Sequence, residues 1–354
     1  ASVSAPVQQV VIESGFDIRD ELPIPVHNEH DSGAYITAGL VIAANPKTGV
    51  QNVSINRIQI NGPDRLGILI LPRDLHRFYD AAEEAAEPLS VAIAVGVDPL
   101  TLLASQAILP IDRDELEVAG ALHGGPLPVV KCKTNDVRVP AEAEIVIEGR
   151  LLPEVREEEG PFGEFPQYYG PVGKRQVIEI DAITRREDAL FHTIVPAAME
   201  HLLLGGIPRE ASLIAHLQRT FPSVKDVHLS RGGVCRYHLV VKIAKRWDGE
   251  PKNIMMGAFA GHADIKQVTI VDEDVDILNP DAVEWAVATR FQAAEDLMVV
   301  AGAQGSRLDP SGTDGRVDKM GLDATKPLGG DPFTFTVVHV PGEDDDALDA
   351  WIEG

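Results

Sequence analysis

Residues 35–60 read YITAGLVIAANPKTGVQNVSINRIQI. Two runs rich in β-formers, Tyr35–Ala43 and Gln51–Ile60, flank Asn45-Pro46-Lys47-Thr48-Gly49, a turn composition that makes them neighbouring antiparallel strands. Strand alternation sets Asn52, Ser54 and Asn56 on one face and Val53, Ile55 and Arg57 on the other. An arginine sharing an apolar face requires an anion, whether a carboxylate of the chain or a phosphate. Working outward, Val10–Ile12, Arg65–Leu71, Leu89–Val95, Val129–Cys132, Ala143–Glu148 and Val177–Thr184 continue the strand pattern. Leu75–Ala86 reads as an amphipathic helix ended by Pro88, and Leu100–Ser105 as a helix opened by Asp98-Pro99. The first half is therefore mainly β.

Beyond residue 186 the period changes. Glu210–Thr220 carries apolar residues at helical spacing, and Asp281–Gln292 follows Asn279-Pro280 as a second helix. Val227–Leu229, Tyr237–Ala244 and Val268–Val271 read as strands between them, an alternation that marks an α/β domain. The division expected is 1–190 for the β domain, 191–209 for a linker and 210–354 for the α/β domain. With 354 residues and 44% hydrophobic content, the chain has material for two or three cored domains.

Composition removes several functions. The chain has 31 Lys+Arg against 55 Asp+Glu, a formal charge of −24. That balance opposes binding to nucleic-acid phosphates and docking on an anionic membrane. Two cysteines, Cys132 and Cys235, with no Cys-x-x-Cys spacing, match a reducing cytoplasm rather than a disulfide framework. Ala1–Gln9 lacks the pattern of a secretory signal, and no apolar run reaches the length of a membrane span. The acidic run Gly342–Asp346 reads as solvated surface.

Three groups are chemically dense. Glu157-Glu158-Glu159-Gly160-Pro161-Phe162-Gly163-Glu164 places acids before and after a bend, where crowding raises one pKa as a general acid requires, or else forms a solvated acidic turn. Asn52, His76 and Glu115 together offer the oxygen and nitrogen donors that suit Mn²⁺ or Mg²⁺. Their spacing does not itself bring them together, and Glu115 alone reads as a surface acid. His201, Arg209 and Arg236 surround two Gly-Gly pairs and would clamp a carboxylate, or else are ordinary surface cations. No Walker loop, Gly-x-Gly-x-x-Gly or Gly-x-Ser-x-Gly occurs, which weakens kinase, simple Rossmann and α/β-hydrolase readings.

Taken in order, these segments resemble the UbiD family of prenylated-flavin-dependent decarboxylases. The resemblance is carried by Asn52-Val53-Ser54-Ile55-Asn56-Arg57, Asp114-Glu115-Leu116-Glu117-Val118-Ala119-Gly120, Lys131-Cys132-Lys133-Thr134-Asn135-Asp136, Val139–Val146, Glu148-Gly149, Glu159–Glu164 and Lys319–Thr325. It runs from about residue 16 to 326. It implies a flavin-reductase-like split β-barrel that binds prenylated FMN, followed by a C-terminal α/β domain that also builds a homo-oligomer, dimer or hexamer.

Further implications concern individual residues. Asn52, His76 and Glu115 match positions that hold a divalent metal bridging to the cofactor phosphate. Ser105 matches a ligand of a neighbouring K⁺ site. Asn52, Ser54, Ile55, Asn56 and Arg57 would line the cofactor, with His76, Arg77 and Glu115. Arg57, Glu159 and Glu164 match the family's Glu–Arg–Glu network, which implies decarboxylation through a covalent substrate–cofactor adduct with Glu164 as proton donor. His201, Arg209 and Arg236 fall at spacings similar to those of the furan-2,5-dicarboxylate decarboxylase branch. Pyrrole-, indole- and 4-hydroxybenzoate-type monocarboxylates are the alternative substrates, and a non-catalytic flavin-binding subunit or a metal-dependent hydrolase the alternative functions. A flavin prenyltransferase is the implied supplier of the cofactor. The family's usual additional N-terminal α/β domain is expected to be largely absent, because the barrel motifs start so early.

Overall fold

A computed structural model describes residues 5–341 except 112 and 330. The acidic run at 342–346 and the first four residues therefore lie outside the described residues. Nine strands of the first half form one sheet. Its central order is Arg65–Ile68, Gly173–Arg185, Ile145–Glu159, Leu89–Val95, Leu40–Ala44 and Gln51–Ile55, every pairing antiparallel. The long hairpin of Ile145–Glu159 with Gly173–Arg185 has register shifts at Glu148/Gly149 and Leu151/Arg156. Such bulges bend strands, and here they curl the sheet into a split barrel. Gly149 has no room for a side chain, since a Cβ there would stand 2.3 Å from the Glu179 carbonyl oxygen.

Both faces of this sheet are covered. Val91, Ile93 and Val95 pack with Ile145, Ile147, Phe78 and Tyr79, while the alternate residues Ala92, Ala94 and Val146 pack with Leu40, Ile42 and Val139. That explains why Leu89–Val95 reads as an almost unbroken apolar run rather than an alternating one.

The second half is a five-stranded sheet in the order Val224–Leu229, His238–Ile243, Gln267–Asp272, Arg316–Ala324, Leu297–Gln304. The central pairings are parallel and the two outer ones antiparallel. Helices Met199–Thr220 and Glu250–Gly261 cover one face, and Pro280–Arg290 the other. The whole is a mixed α/β molecule of the expected class.

Several elements differ from the sequence reading. Tyr35–Ala43 is two strands, Tyr35–Ile36 and Leu40–Ala44, and Gln51–Ile60 likewise breaks at Asn56-Arg57. The breaks occur where side chains must leave the sheet, so strand alternation does not extend to Arg57. The helix expected from Glu210 begins at Met199, so half of the segment read as linker is helical. Gly205, Gly206 and Pro208 give a breaker signal, but the helix tolerates them because that face packs against other elements rather than water. Helices Glu115–His123 and Glu250–Gly261, and strands Leu297–Gln304 and Arg316–Ala324, have no counterpart in the sequence reading.

Candidate active site

Arg57 stands just past the end of strand Gln51–Ile55, its side chain 7% exposed. Its Nη2 donates to Glu159 Oε2 at 2.7 Å and its Nη1 to Glu164. The anion this arginine requires is thus a pair of carboxylates from the same domain. Glu159 ends the Ile145–Glu159 strand, and alternation buries it completely while leaving Glu158 exposed. Glu157 points elsewhere, to Arg65 at 2.9 Å and Asn61 at 2.8 Å. The acidic run is therefore neither a solvated turn nor a single cluster; the strand deals its members to different neighbours.

Residues that sequence reasoning missed hold Glu159 in place. The Tyr35 hydroxyl lies 2.9 Å from Gln59 Oε1 and 3.3 Å from Glu159 Oε1, and the Gly160 N–H donates to the Tyr35 and Gln59 oxygens. Burial pushes the Tyr35 phenol up, so it remains a neutral donor. After the bend, the Glu164 N–H donates to the Tyr168 carbonyl at 2.9 Å, which aims Glu164 back at Arg57. Burial raises the Glu164 carboxyl above its ordinary range, against the opposing pull of Arg57. Crowding by Glu159 is a smaller contribution, so desolvation rather than acid–acid repulsion makes Glu164 a holder of a proton. Burial alone would lower the Arg57 pKa, but its bonds to Glu159 and Glu164 outweigh that and raise it. Gly170 supplies clearance, since a Cβ there would be 2.9 Å from Arg57 Nη1 and 3.3 Å from Glu164 Cγ.

The proposed metal set is partly assembled. Asn52 Nδ2 donates to Glu115 Oε1 at 3.0 Å, and the Val53 N–H donates to Glu115 Oε2 at 2.7 Å. Burial pushes Glu115 up to about 7. Asn52 Oδ1 is buried without a hydrogen-bond partner, an orphan that a cation would satisfy. His76 Nδ1 is bonded to Asp80 at 2.8 Å, the carboxylate support typical of a ligating imidazole, and not to Asn52 or Glu115. Among the described residues no three His, Cys, Asp or Glu side chains gather as a metal site. The Glu115 carboxylate and the orphaned Asn52 amide oxygen are donors of the hard type that a divalent cation takes, and no contact brings His76 to them. Ser105 is buried and its Oγ donates to the Leu102 carbonyl at 2.7 Å, while Arg77 is exposed and faces Asp74 at 4.0 Å. Asn56 Nδ2 bonds the Ser54 hydroxyl at 3.0 Å.

Helix Met199–Thr220 and the segment after strand Val224–Leu229 bring up the cations. Ile55, Asn56, Arg57, Phe162, Glu164 and Phe165 share one cleft of about 870 Å³, open mouth included, with His201, Leu204, Gly205 and Arg236. Arg236 lies with its Cζ 4.0 Å above the Phe165 ring. Arg209 does not line the cleft; it stands behind Gly205, 7% exposed. His201 is held down to about 4 by burial and by the charges of Arg236 and Arg209, and its Nδ1 accepts from the Ala197 N–H.

The split barrel sets a buried Glu–Arg–Glu chain across one cleft from Arg236, an arrangement able to hold a proton beside a bound anion. Residues 1–199 match the 3-octaprenyl-4-hydroxybenzoate carboxy-lyase Rift-related domain, and residues 202–324 the C-terminal domain of the same enzymes. The chain belongs to the UbiD family and is a carboxy-lyase. It is 46% identical over 316 residues to the anhydromevalonate phosphate decarboxylase of Methanothermobacter thermautotrophicus, covering 89% of this chain and 74% of that protein. With the gallate decarboxylase of Lactiplantibacillus plantarum it shares 33% identity over 331 residues, 88% of this chain and 68% of the other. The solved structure of the UbiD-class enzyme HmfF from Pelotomaculum thermopropionicum in complex with FMN superposes with a TM-score of 0.96 at 52% identity, covering 99% of this chain and 78% of that one.

Proposed function

We propose that the chain catalyses reversible, non-oxidative decarboxylation of an aromatic or heteroaromatic acid bearing a second anionic group, of the furan-2,5-dicarboxylate type. The observation that carries this reading is one cleft containing Glu164, with its raised pKa, on one wall and Arg236 on another. Prenylated FMN, the group in complex with an evolved dimeric form of HmfF, is the proposed cofactor. Mn²⁺ or Mg²⁺ at Asn52, His76 and Glu115 and K⁺ near Ser105 complete the proposed set, with a flavin prenyltransferase as supplier. When bound, the cofactor supplies the electron sink that loss of CO₂ from an sp² carbon requires and that no side chain offers.

The chain's own residues do the rest. Asn56, Ile55 and Arg57 line the cleft and would border a bound cofactor, and Phe162, Phe165 and Leu204 line it with apolar surface that would exclude water from a bound substrate. Glu164 delivers a proton from its carboxyl to the carbon that loses CO₂. Arg57, locked by wholly buried Glu159, sets how tightly Glu164 holds that proton. Arg236 and His201 orient the substrate through its second anion, supported by Arg209.

A second reading keeps the chemistry and changes the second anion to a phosphate. The names of relatives in M. thermautotrophicus and Methanosarcina mazei favour it, and guanidinium groups bind phosphate as well as carboxylate. A purely structural role is disfavoured by the complete Glu–Arg–Glu chain. A homo-oligomer fits the evolved dimeric form of the HmfF relative. The test is turnover by the protein co-produced with a flavin prenyltransferase, comparing furan-2,5-dicarboxylate, furan-2-carboxylate and a phosphorylated unsaturated acid. Glu164→Gln is expected to lower turnover by about 10²–10⁴-fold while retaining the flavin absorbance. Undiminished turnover in that variant removes Glu164 from the proton-donor role.

A further inference from the structure

Arg209 and Arg236 are brought together at Gly205. A Cβ on Gly205 would stand 2.8 Å from Arg236 Nη2 and 2.9 Å from Arg209 Nη1, so the two guanidiniums converge on one backbone position. Among the described residues neither has a carboxylate in salt-bridge contact, and Arg236 Nε is buried with no partner at all. Like charges so placed repel, and burial together with Arg236 brings Arg209 down to about 9. Arg73 adds to the repulsion and Asp264 attracts Arg209 from beyond salt-bridge distance, so the direct contacts that fix the guanidinium are hydrogen bonds. Arg236 rests on the face of Phe165, but Arg209 has no ring beneath it. Its Nη1 donates to the Gly205 carbonyl and its Nε donates to His262 Nε2 at 3.2 Å.

His262 caps the C-terminal end of helix Glu250–Gly261 and does not line the cleft itself. We propose that His262 is a positioning residue for selectivity: it pins Arg209 beside Arg236 and so maintains the doubled positive charge that recognises the substrate's second anion. This rests on the reading of the cation group as an anion subsite.

The hydrogen-bonding arithmetic makes the pin conditional. A neutral imidazole has one acceptor nitrogen. The Asp264 N–H approaches Nδ1 and the Arg209 Nε–H approaches Nε2, each at 3.2 Å. Only the tautomer with its proton on Nδ1 holds Arg209; the other turns an N–H toward it. Burial, with Arg209 next, brings His262 down to about 4, so the ring stays neutral and keeps one lone pair to give. An acceptor at the Nε2 position is therefore the requirement, and a glutamine carbonyl reaches a similar place.

The experiment measures dissociation constants of furan-2,5-dicarboxylate and furan-2-carboxylate by calorimetry, on cofactor-loaded protein carrying Glu164→Gln to suppress turnover. His262→Leu is expected to reduce the preference for the dicarboxylate by about tenfold, equivalent to ~1.4 kcal/mol. His262→Gln, which restores an acceptor, is expected to recover most of that preference. Equal preference in His262→Leu and its parent overturns the proposal, as does failure of His262→Gln to differ from His262→Leu. If the parent itself does not prefer the dicarboxylate, the anion-subsite reading fails and the role of His262 falls with it. Thermal melting of each variant identifies a folding defect; if His262→Leu shows one, His262→Phe, which also lacks the acceptor, is compared with His262→Gln in its place.

Discussion

Glu164 and Glu159 bond to the same guanidinium, yet they have different parts to play. Glu159 is sealed by Tyr35 and Arg57, with Arg175 at 4.0 Å, whereas Glu164 faces the cleft. For Glu164 the sign of the pH effect follows directly: burial raises its folded pKa, so its protonated form persists to higher pH than a free glutamate and is lost as pH rises through that pKa. The turnover number is expected to fall on the alkaline side with a single ionisation displaced above the ordinary carboxylate range. A pH–rate profile checks this, and an alkaline limb absent below the range of lysine ionisation contradicts it. Asn52 offers a second residue-scale test. Its orphaned Oδ1 and the adjacent Glu115 carboxylate lose a common partner if a divalent ion is stripped away. Chelation is expected to release flavin from loaded protein, followed by absorbance of the filtrate, with Mn²⁺ restoring retention.

At the scale of elements, helix Met199–Thr220 carries His201 and Arg209 and receives Arg236 from the segment after Val224–Leu229, and its weak points are functional. Pro208 lacks the N–H that the Leu204 carbonyl would accept, and Gly205 and Gly206 are poor helix formers. In an exposed helix, Gly205→Ala would stabilise by about 1 kcal/mol. Here the added methyl meets Arg236 Nη2 and Arg209 Nη1 inside 3 Å. The substitution is expected to weaken dicarboxylate binding with little gain in melting temperature, read by calorimetry and thermal unfolding on the same sample. The breaker residues Gly205, Gly206 and Pro208 thus misdirect a reading of the helix boundary for the same reason that they matter to the site. Strand Ile145–Glu159 shows the opposite case. Its terminal acids read as crowded acids at a bend or else a solvated turn, but the two-residue period of a strand sends Glu157, Glu158 and Glu159 to different environments.

The molecule as a whole makes its site from both halves. Phe165 follows the barrel's acidic bend, yet it is 2% exposed within the α/β domain's core beside Leu202, Leu213 and Leu239, and it supports Arg236. Phe165→Ala is expected to cost about 3–5 kcal/mol and to separate thermal unfolding into two transitions as the halves lose their common plug. A single transition at the original temperature would rule that out.

Composition, strand and helix periods and the ordered motifs were sufficient, from the sequence by itself, for a β-rich half followed by an α/β half, for the family, and for Arg57, Glu159, Glu164 and Arg236 as candidates. Periodicity gives only the need of Arg57 for an anion, and the ordered motifs supply Glu159 and Glu164 as the acids through the family resemblance. Tertiary structure alone decided that Tyr35, itself braced by Gln59, closes over Glu159, that Arg209 stands behind Gly205 rather than in the cleft, and that His262 holds it there. The Arg209–His262 contact spans 53 residues of chain and the Tyr35–Glu159 contact 124. No periodic pattern spans such a distance; only the packing of the two halves, which desolvates charges and leaves each with few partners, selects them.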